Sequence, residues 1–308
     1  MKKFRHVILI GVDGGGHFFR EAETPNFDRI FADGAVTYEA YASNPSISAE
    51  CWTSMLTGVS PKLHGCTNDV LSSQKYPLDS PFPTLFKRIC QARPEAELGA
   101  FCDWYPLING ACERNVGVCC CSEHDALLVP KAARYIIRNK PDFLFLHCDS
   151  VDHAGHHDGY GTPNHLAQIG IVDGYVGQIY EAVQQAGIAE DTLFLMICDH
   201  GGTCDPRQDG TGFQGSHGGW TENEKLITFA AAGHGIKKGE IGDMNIRDVA
   251  AIVLYAMGIE HPDFKLDGWT SQLPQGLFEE AVPPYIDISA ETGAEPRISR
   301  AQHATELL

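Results

Sequence analysis

Apolar runs and amphipathic stretches alternate along this chain. His6–Val12, Leu98–Cys102, Val116–Cys120, Phe143–Cys148, Leu193–Cys198 and Ile227–Ala232 are short and almost wholly apolar, as strands buried on both faces are. Between them the period changes. His165–Gln185 carries Ile169, Val172, Val176, Ile179 and Val183 at three-and-four spacing, and Gly187 follows, which predicts a long amphipathic helix with a glycine stop. Pro25–Asp33 has Thr24 at its cap, Pro25 at its first position and Gly34 past its end. Ala49–Leu56, Pro83–Gln91, Lys131–Asn139 and Ile246–Met257 are further helices. Alternating strands and helices predict an α/β fold, a doubly wound, mostly parallel sheet flanked by helices. The patterning is continuous over residues 1–273, expected to form one catalytic domain. Residues 274–308 are weakly patterned and rich in Pro, Ala and Glu, a tail that packs on the domain or contacts another subunit.

The apolar strands stop at polar chemistry. The first ends at Asp13 and then three glycines. Phe143–Cys148 ends at Asp149-Ser150-Val151-Asp152-His153-Ala154-Gly155-His156-His157. Leu193–Cys198 ends at Asp199-His200-Gly201-Gly202. Open α/β sheets bind ligands outside the carboxyl ends of their strands, so a parallel sheet would bring these groups to one edge. His217 adds an imidazole in a loop flanked by Gly215, Gly218 and Gly219. Carboxylate and imidazole together suit Zn²⁺ or Mn²⁺. Singly, each group has a plainer reading: Asp13 could close a turn, and His153 and His157 read as exposed loop residues. The clustering of Asp13, Asp152, His156, Asp199, His200 and His217 at strand ends favours a metal site. Ser48 stands at the start of the Ala49–Leu56 helix, at its N-cap by the sequence pattern. A hydroxyl there is either a simple cap or a nucleophile stabilised by the helix dipole, with Ser46 as a weaker competitor.

Composition narrows the partners. The 308 residues carry a formal net charge of −17, which argues against a nucleic-acid polymer or an anionic membrane surface. An anionic substrate remains compatible, because bound divalent ions reverse the local field. Eleven cysteines, an odd number with no Cys-x-x-Cys pair, point to reduced thiols. Val7–Ile10 is too short for a secretion signal, and no apolar run approaches a membrane span. The expected setting is cytoplasmic.

The ordered elements Asp13-Gly14, Thr24-Pro25-Asn26-Phe27-Asp28-Arg29-Ile30, a hydroxyl residue before Thr57-Gly58, Pro61, His64-Gly65, Asp152-x-x-Gly155-His156, Asp199-His200-Gly201 and His217-Gly218 resemble the alkaline phosphatase superfamily. The resemblance is to its type I phosphodiesterase, or nucleotide pyrophosphatase, branch, and spans about Val7 to Gly258. It implies two divalent metal ions, Zn²⁺ before Mn²⁺, about 4 Å apart as in other two-metal sites. One would be held by Asp152, His156 and His217; the other by Asp13, Asp199 and His200. Ser48 would bridge toward the metals as the nucleophile, and Asn68, with Asp69 beside it, would hold a phosphoryl oxygen. The implied reaction is hydrolysis of a small phosphate ester or anhydride through a Ser48 phospho-enzyme. Two departures stand out: Ser48 replaces the branch's usual Thr, and Ala49-Glu50-Cys51-Trp52 replaces its Phe-Pro-Asn. No Arg lies between Arg29 and Arg88, which argues against sulfatase chemistry and tilts toward a diester or anhydride over a monoester. The alternatives are a phosphomonoesterase, a Mn-dependent phosphosugar mutase (the Ser48–Asp152 interval holds only part of the usual inserted domain), or a metal-dependent binding protein without turnover. Trp52, Trp104, Tyr105 and Phe213 are candidate pocket aromatics.

Overall fold

A computed structural model describes residues 3–259 and 271–282. Its centre is a seven-stranded sheet. In chain order the strands are β1 (His6–Val12), β2 (Ala35–Tyr41), β3 (Leu98–Cys102), β4 (Cys119–Cys121), β5 (Phe143–Cys148), β6 (Thr192–Cys198) and β9 (Leu226–Ala232); across the sheet the order is β2-β9-β6-β1-β5-β3-β4. A separate hairpin pairs β7 (Asp205–Pro206) with β8 (Phe213–Gln214). β1, β5 and β6 are buried along their whole length, as expected of strands covered by helices on both faces. They run parallel, with β1 between β6 and β5. The Pro163–Gln185 helix buries Ile169, Val172, Val176, Ile179 and Val183, the stripe read from the sequence. Thr162 caps it, accepting from the His165 amide, and Pro163 occupies its first turn.

Several sequence expectations shift. β9 runs antiparallel to both β6 and β2, and β2 was not foreseen. β2 is an edge strand whose burial is interrupted, so it lacks the continuous apolar run that marked the central strands. The expected Val116–Cys120 strand is the three-residue edge strand Cys119–Cys121, because Gly117 adopts a left-handed φ of 70° and breaks the extended run. The expected Lys131–Asn139 helix begins at Asp125 and accommodates Pro130 early in its length. The segment after β5, read as a loop around His153 and His157, is a helix, Ser150–Asp158, on which both imidazoles are exposed. Residues 271–282 pack on the domain: Leu277 and Phe278 are buried, and the Lys237 amide donates to the Leu277 carbonyl. The remainder of the expected tail, 283–308, lies outside the described residues. Among the described residues no helix is long and apolar enough to cross a membrane.

Candidate active site

Strand register explains why distant acids meet. Val12 pairs with Cys148 on one side and Cys198 on the other, so the residues that follow, Asp13, Asp149 and Asp199, leave the sheet at the same level. One helical turn past Asp149, Asp152 and His156 share a face at i,i+4 spacing. His200 follows Asp199. His217 arrives on its glycine-flanked loop, which Ser46 tethers: Ser46 Oγ donates to the Gly219 carbonyl and accepts from the Gly218 amide. Ser46 is therefore a clamp between two loops. Gly14 is needed where it lies, with φ 68° and a position where a Cβ would meet Asp152 Cα at 2.6 Å.

All six expected ligands meet in one cluster. Asp152, His156 and His217 offer donor atoms within 4.8 Å of one another, as do Asp13, Asp152 and His200. His156 Nε2 lies 3.3 Å from Asp152 Oδ2, and His217 Nε2 3.9 Å from Asp152 Oδ1. His200 Nε2 lies 3.4 Å from Asp13 Oδ1 and 3.3 Å from Asp199 Oδ2. The rings of His200 and His217 stack with centroids 3.8 Å apart. The cluster has a buried floor of Asp13, Asp199 and His200 and an open rim at His156, whose side chain is 46% exposed. Among the described residues the ion pairs of the three carboxylates are all with histidines.

The histidine tautomers are informative. His200 Nδ1 faces the Gly201 carbonyl, His217 Nδ1 the Ser46 carbonyl and His156 Nδ1 the Gly215 carbonyl, at 2.9–3.0 Å. A carbonyl only accepts, so each Nδ1 carries hydrogen and each Nε2 is the ring atom turned toward the carboxylates. Burial, and the neighbouring His217, push His200 down to about 4, so it is neutral at pH 7. A carbonyl-anchored Nδ1–H is the usual support of a metal-ligating histidine, which leaves Nε2 as the atom offered to a cation. Asp199 fits the same picture. Its Oδ1 accepts from the Gly14 and His200 amides, while its buried Oδ2 has no hydrogen-bond partner. Burial and the charges of Asp13 and Asp152 drive its carboxyl well above the usual range. Burial also pushes Asp152 up, but His156, His200 and His217 outweigh it and hold Asp152 low; in return its hydrogen bond draws His156 up to about 9. The donor set fits divalent cations.

Ser48, expected from sequence at the N-cap, is the first residue of the Ser48–Thr57 helix, and Ile47 takes the N-cap position. Its hydroxyl makes no capping bond. It lies 3.1 Å from His200 Nε2 and 3.4 Å from Asp13 Oδ1, within the cluster. The Ala49 amide at that helix end donates to Asn68 Oδ1 at 3.0 Å, so Asn68 stands beside Ser48 with its Nδ2 left for another acceptor.

Three supporting residues were missed or misassigned. Trp52 is no pocket aromatic: it is fully buried and donates from Nε1 to Asp13 Oδ2 at 2.9 Å. His147, in the middle of the apolar run FLFLHC, donates to the same oxygen at 2.9 Å; an imidazole in a wholly buried strand was the available signal. Tyr160 donates to Asp152 Oδ1 at 2.5 Å, which no sequence pattern announced. Tyr105 and Phe213 are about half exposed, and Trp104 packs partly against the core.

The family pattern for type I phosphodiesterase / nucleotide pyrophosphatase matches residues 7–85 and 103–275. Among solved structures, mouse ectonucleotide pyrophosphatase / phosphodiesterase 5, an inactive variant in complex with AMP, superposes with a TM-score of 0.67 at 14% identity, covering 83% of this chain and 96% of that one. The human protein of that name gives 0.67 at 16%, covering 83% and 95%. A further mouse structure gives 0.67 at 14%, covering 94% and 99%. No curated protein sequence matches significantly.

Proposed function

The chain belongs to the type I phosphodiesterase / nucleotide pyrophosphatase family, and from that premise we propose that it hydrolyses a small phosphodiester or phosphoanhydride, with Ser48 as nucleophile and two divalent cations as cofactor. The observation that carries this reading is the three-histidine arrangement: three Nδ1–H groups anchored on carbonyls, three Nε2 atoms turned on Asp13, Asp152 and Asp199, and Ser48 Oγ among them. Asp152, His156 and His217 would hold one cation; Asp13, Asp199 and His200 the other, with Ser48 between. When bound, the cations supply Lewis acidity that favours the Ser48 alkoxide and offsets charge on the phosphoryl oxygens; Zn²⁺ suits this N/O donor set, with Mn²⁺ second.

The residues then divide the work. Ser48 Oγ attacks phosphorus in line and forms a P–O bond as the bond to the leaving group breaks. Water hydrolyses the Ser48 phosphoester and frees the hydroxyl. The helix N-terminus beneath Ser48 favours negative charge at Oγ. Asn68 Nδ2 can donate to a non-bridging phosphoryl oxygen while its Oδ1 stays fixed on the Ala49 amide. The exposed rim at His156 leaves the entry side open. Among the described residues the ion pairs of the cluster include no Lys or Arg to meet a dianionic monoester, which supports the diester or anhydride. The mouse relative solved with AMP makes nucleotide esters the first probes.

The test compares the p-nitrophenyl ester of thymidine 5′-monophosphate, bis-p-nitrophenyl phosphate and p-nitrophenyl phosphate, with Zn²⁺ or Mn²⁺ and after chelation. The expected result is metal-dependent turnover favouring the diesters, lost in Ser48→Ala, with acid-stable phosphate on Ser48 in quenched reactions. Full activity of Ser48→Ala would overturn the nucleophile. Protein that binds less than one equivalent of metal and gains no activity from it would overturn the two-metal reading.

A further inference from the structure

The two floor carboxylates are restrained in the same way by different means. Asp199 Oδ1 accepts two N–H groups, both from backbone, leaving Oδ2 free. Asp13 Oδ2 also accepts two N–H groups, but from side chains, Trp52 Nε1 and His147 Nε2, each at 2.9 Å. That leaves Oδ1 turned to Ser48 and His200. The side chains of Asp13 and His147 are at most 1% exposed, and Trp52 is fully buried, so water does not compete for these bonds. Trp52 meets His147 edge-on, with centroids 5.2 Å apart, and packs on Phe145, so each donor holds the other in place.

The geometry points to Trp52 and His147 as positioning residues that saturate Asp13 Oδ2 and so present Asp13 to a cation through Oδ1 alone. This inference rests on the two-metal reading above. A carboxylate with one oxygen saturated by two donors is a one-oxygen ligand. Released from them, Asp13 can rotate or engage a cation through both oxygens, which changes coordination number and retention. Loss of such supporting partners typically weakens metal affinity about 10–100-fold. Trp52 lies in the segment that departs from the branch's usual sequence, so this support is written in the chain's own Ala49-Glu50-Cys51-Trp52.

The experiment loads the full-length protein with Co²⁺ or Zn²⁺ and measures retention against a chelator together with the visible Co²⁺ spectrum. Trp52→Phe removes the N–H, and replacing Trp52 by its isostere β-(3-benzothienyl)alanine removes it with the ring volume kept. Phe145→Leu disturbs the same aromatic packing without touching Asp13. Both Trp52 replacements are expected to lose metal about 10-fold more readily and to weaken the Co²⁺ bands as coordination number rises. His147→Gln, which keeps an N–H donor, is expected to retain more metal than His147→Leu. If Trp52→Phe does not fold, the isosteric variant decides. Unchanged retention and spectrum in the isosteric variant, or an equal loss in Phe145→Leu, would overturn the inference. A wild-type protein that binds neither ion would overturn the two-metal reading instead.

Discussion

Replacing Gly11 by alanine attacks the Asp13 support from behind. Gly11 lies in β1, two residues before Asp13, with β5 and β6 paired on either side. A Cβ built there would sit 2.5 and 2.7 Å from two ring carbons of Trp52 and 3.0 Å from a ring carbon of Phe145. Carbon atoms pack at about 3.5–4.0 Å, so something must yield by about 1 Å. The doubly paired strand and the backing Phe145 leave the indole as the part that moves. A shift of about 1 Å takes the Trp52–Asp13 hydrogen bond from 2.9 Å out of range. Overpacking costs about 1–3 kcal/mol. Loss of a buried hydrogen bond to a charged group adds about 1.5–3 kcal/mol. The sum is a large share of a typical folding free energy of roughly 5–15 kcal/mol. Thermal unfolding followed by far-UV circular dichroism in a chelator should show Gly11→Ala melting at least about 5 °C below wild type, and the refolded variant should retain less Zn²⁺. A variant with wild-type melting and wild-type Zn²⁺ retention would refute the steric coupling of Gly11, Trp52 and Asp13.

Other outcomes follow from the same geometry. Adding Zn²⁺ to chelator-stripped protein should raise its stability with metal concentration, by about 2.7 kcal/mol at one hundred times the dissociation constant, and a melting temperature indifferent to Zn²⁺ would contradict a native-state site. Ser46→Ala removes the bridge to Gly218 and Gly219 and should weaken metal retention several-fold by loosening His217, while Ser46→Thr, which restores a hydroxyl, should recover part of it; equal retention in all three proteins would remove Ser46 from the site. His64 is half-buried, its Nδ1 accepting from the Cys66 amide at 3.0 Å, and the loss of water around its ring brings it from an ordinary 6.5 down to about 4. The unfolded chain therefore binds the extra proton first: the contribution of His64 is complete above pH 6.5 and is lost as pH falls toward 4, by about 3 kcal/mol in all. His64→Gln should flatten the acid limb of the stability–pH curve measured by urea unfolding, and an unchanged limb would show that His64 does not titrate in this window.

Much of the floor of the site was legible before any coordinates, for a physical reason. A strand buried on both faces must be apolar throughout, so its last apolar residue marks the sheet edge, and polar residues just beyond it can only be at that edge. Val12, Cys148 and Cys198 are such residues, and parallel register then sets Asp13, Asp149 and Asp199 level. The Asp152–His156 spacing likewise needs only a helix to become a single face.

Other features depend on contacts between residues far apart in the chain, which no local period encodes. The reversed direction of β9 is one, since an apolar run has no sense of direction. The tautomers of His156, His200 and His217 are another, set by the carbonyls of Gly215, Gly201 and Ser46. The roles of Trp52, His147 and Tyr160 are a third: an aromatic or an imidazole in an apolar setting reads as packing until a carboxylate is found against its N–H or O–H. The sequence by itself determined which residue types stand at the sheet edge. Only the tertiary structure decided which oxygen of Asp13 is restrained and which is left for a cation, because its two donors, Trp52 and His147, come from 39 and 134 residues away in the chain, and the Gly14 amide reaches Asp199 across 185.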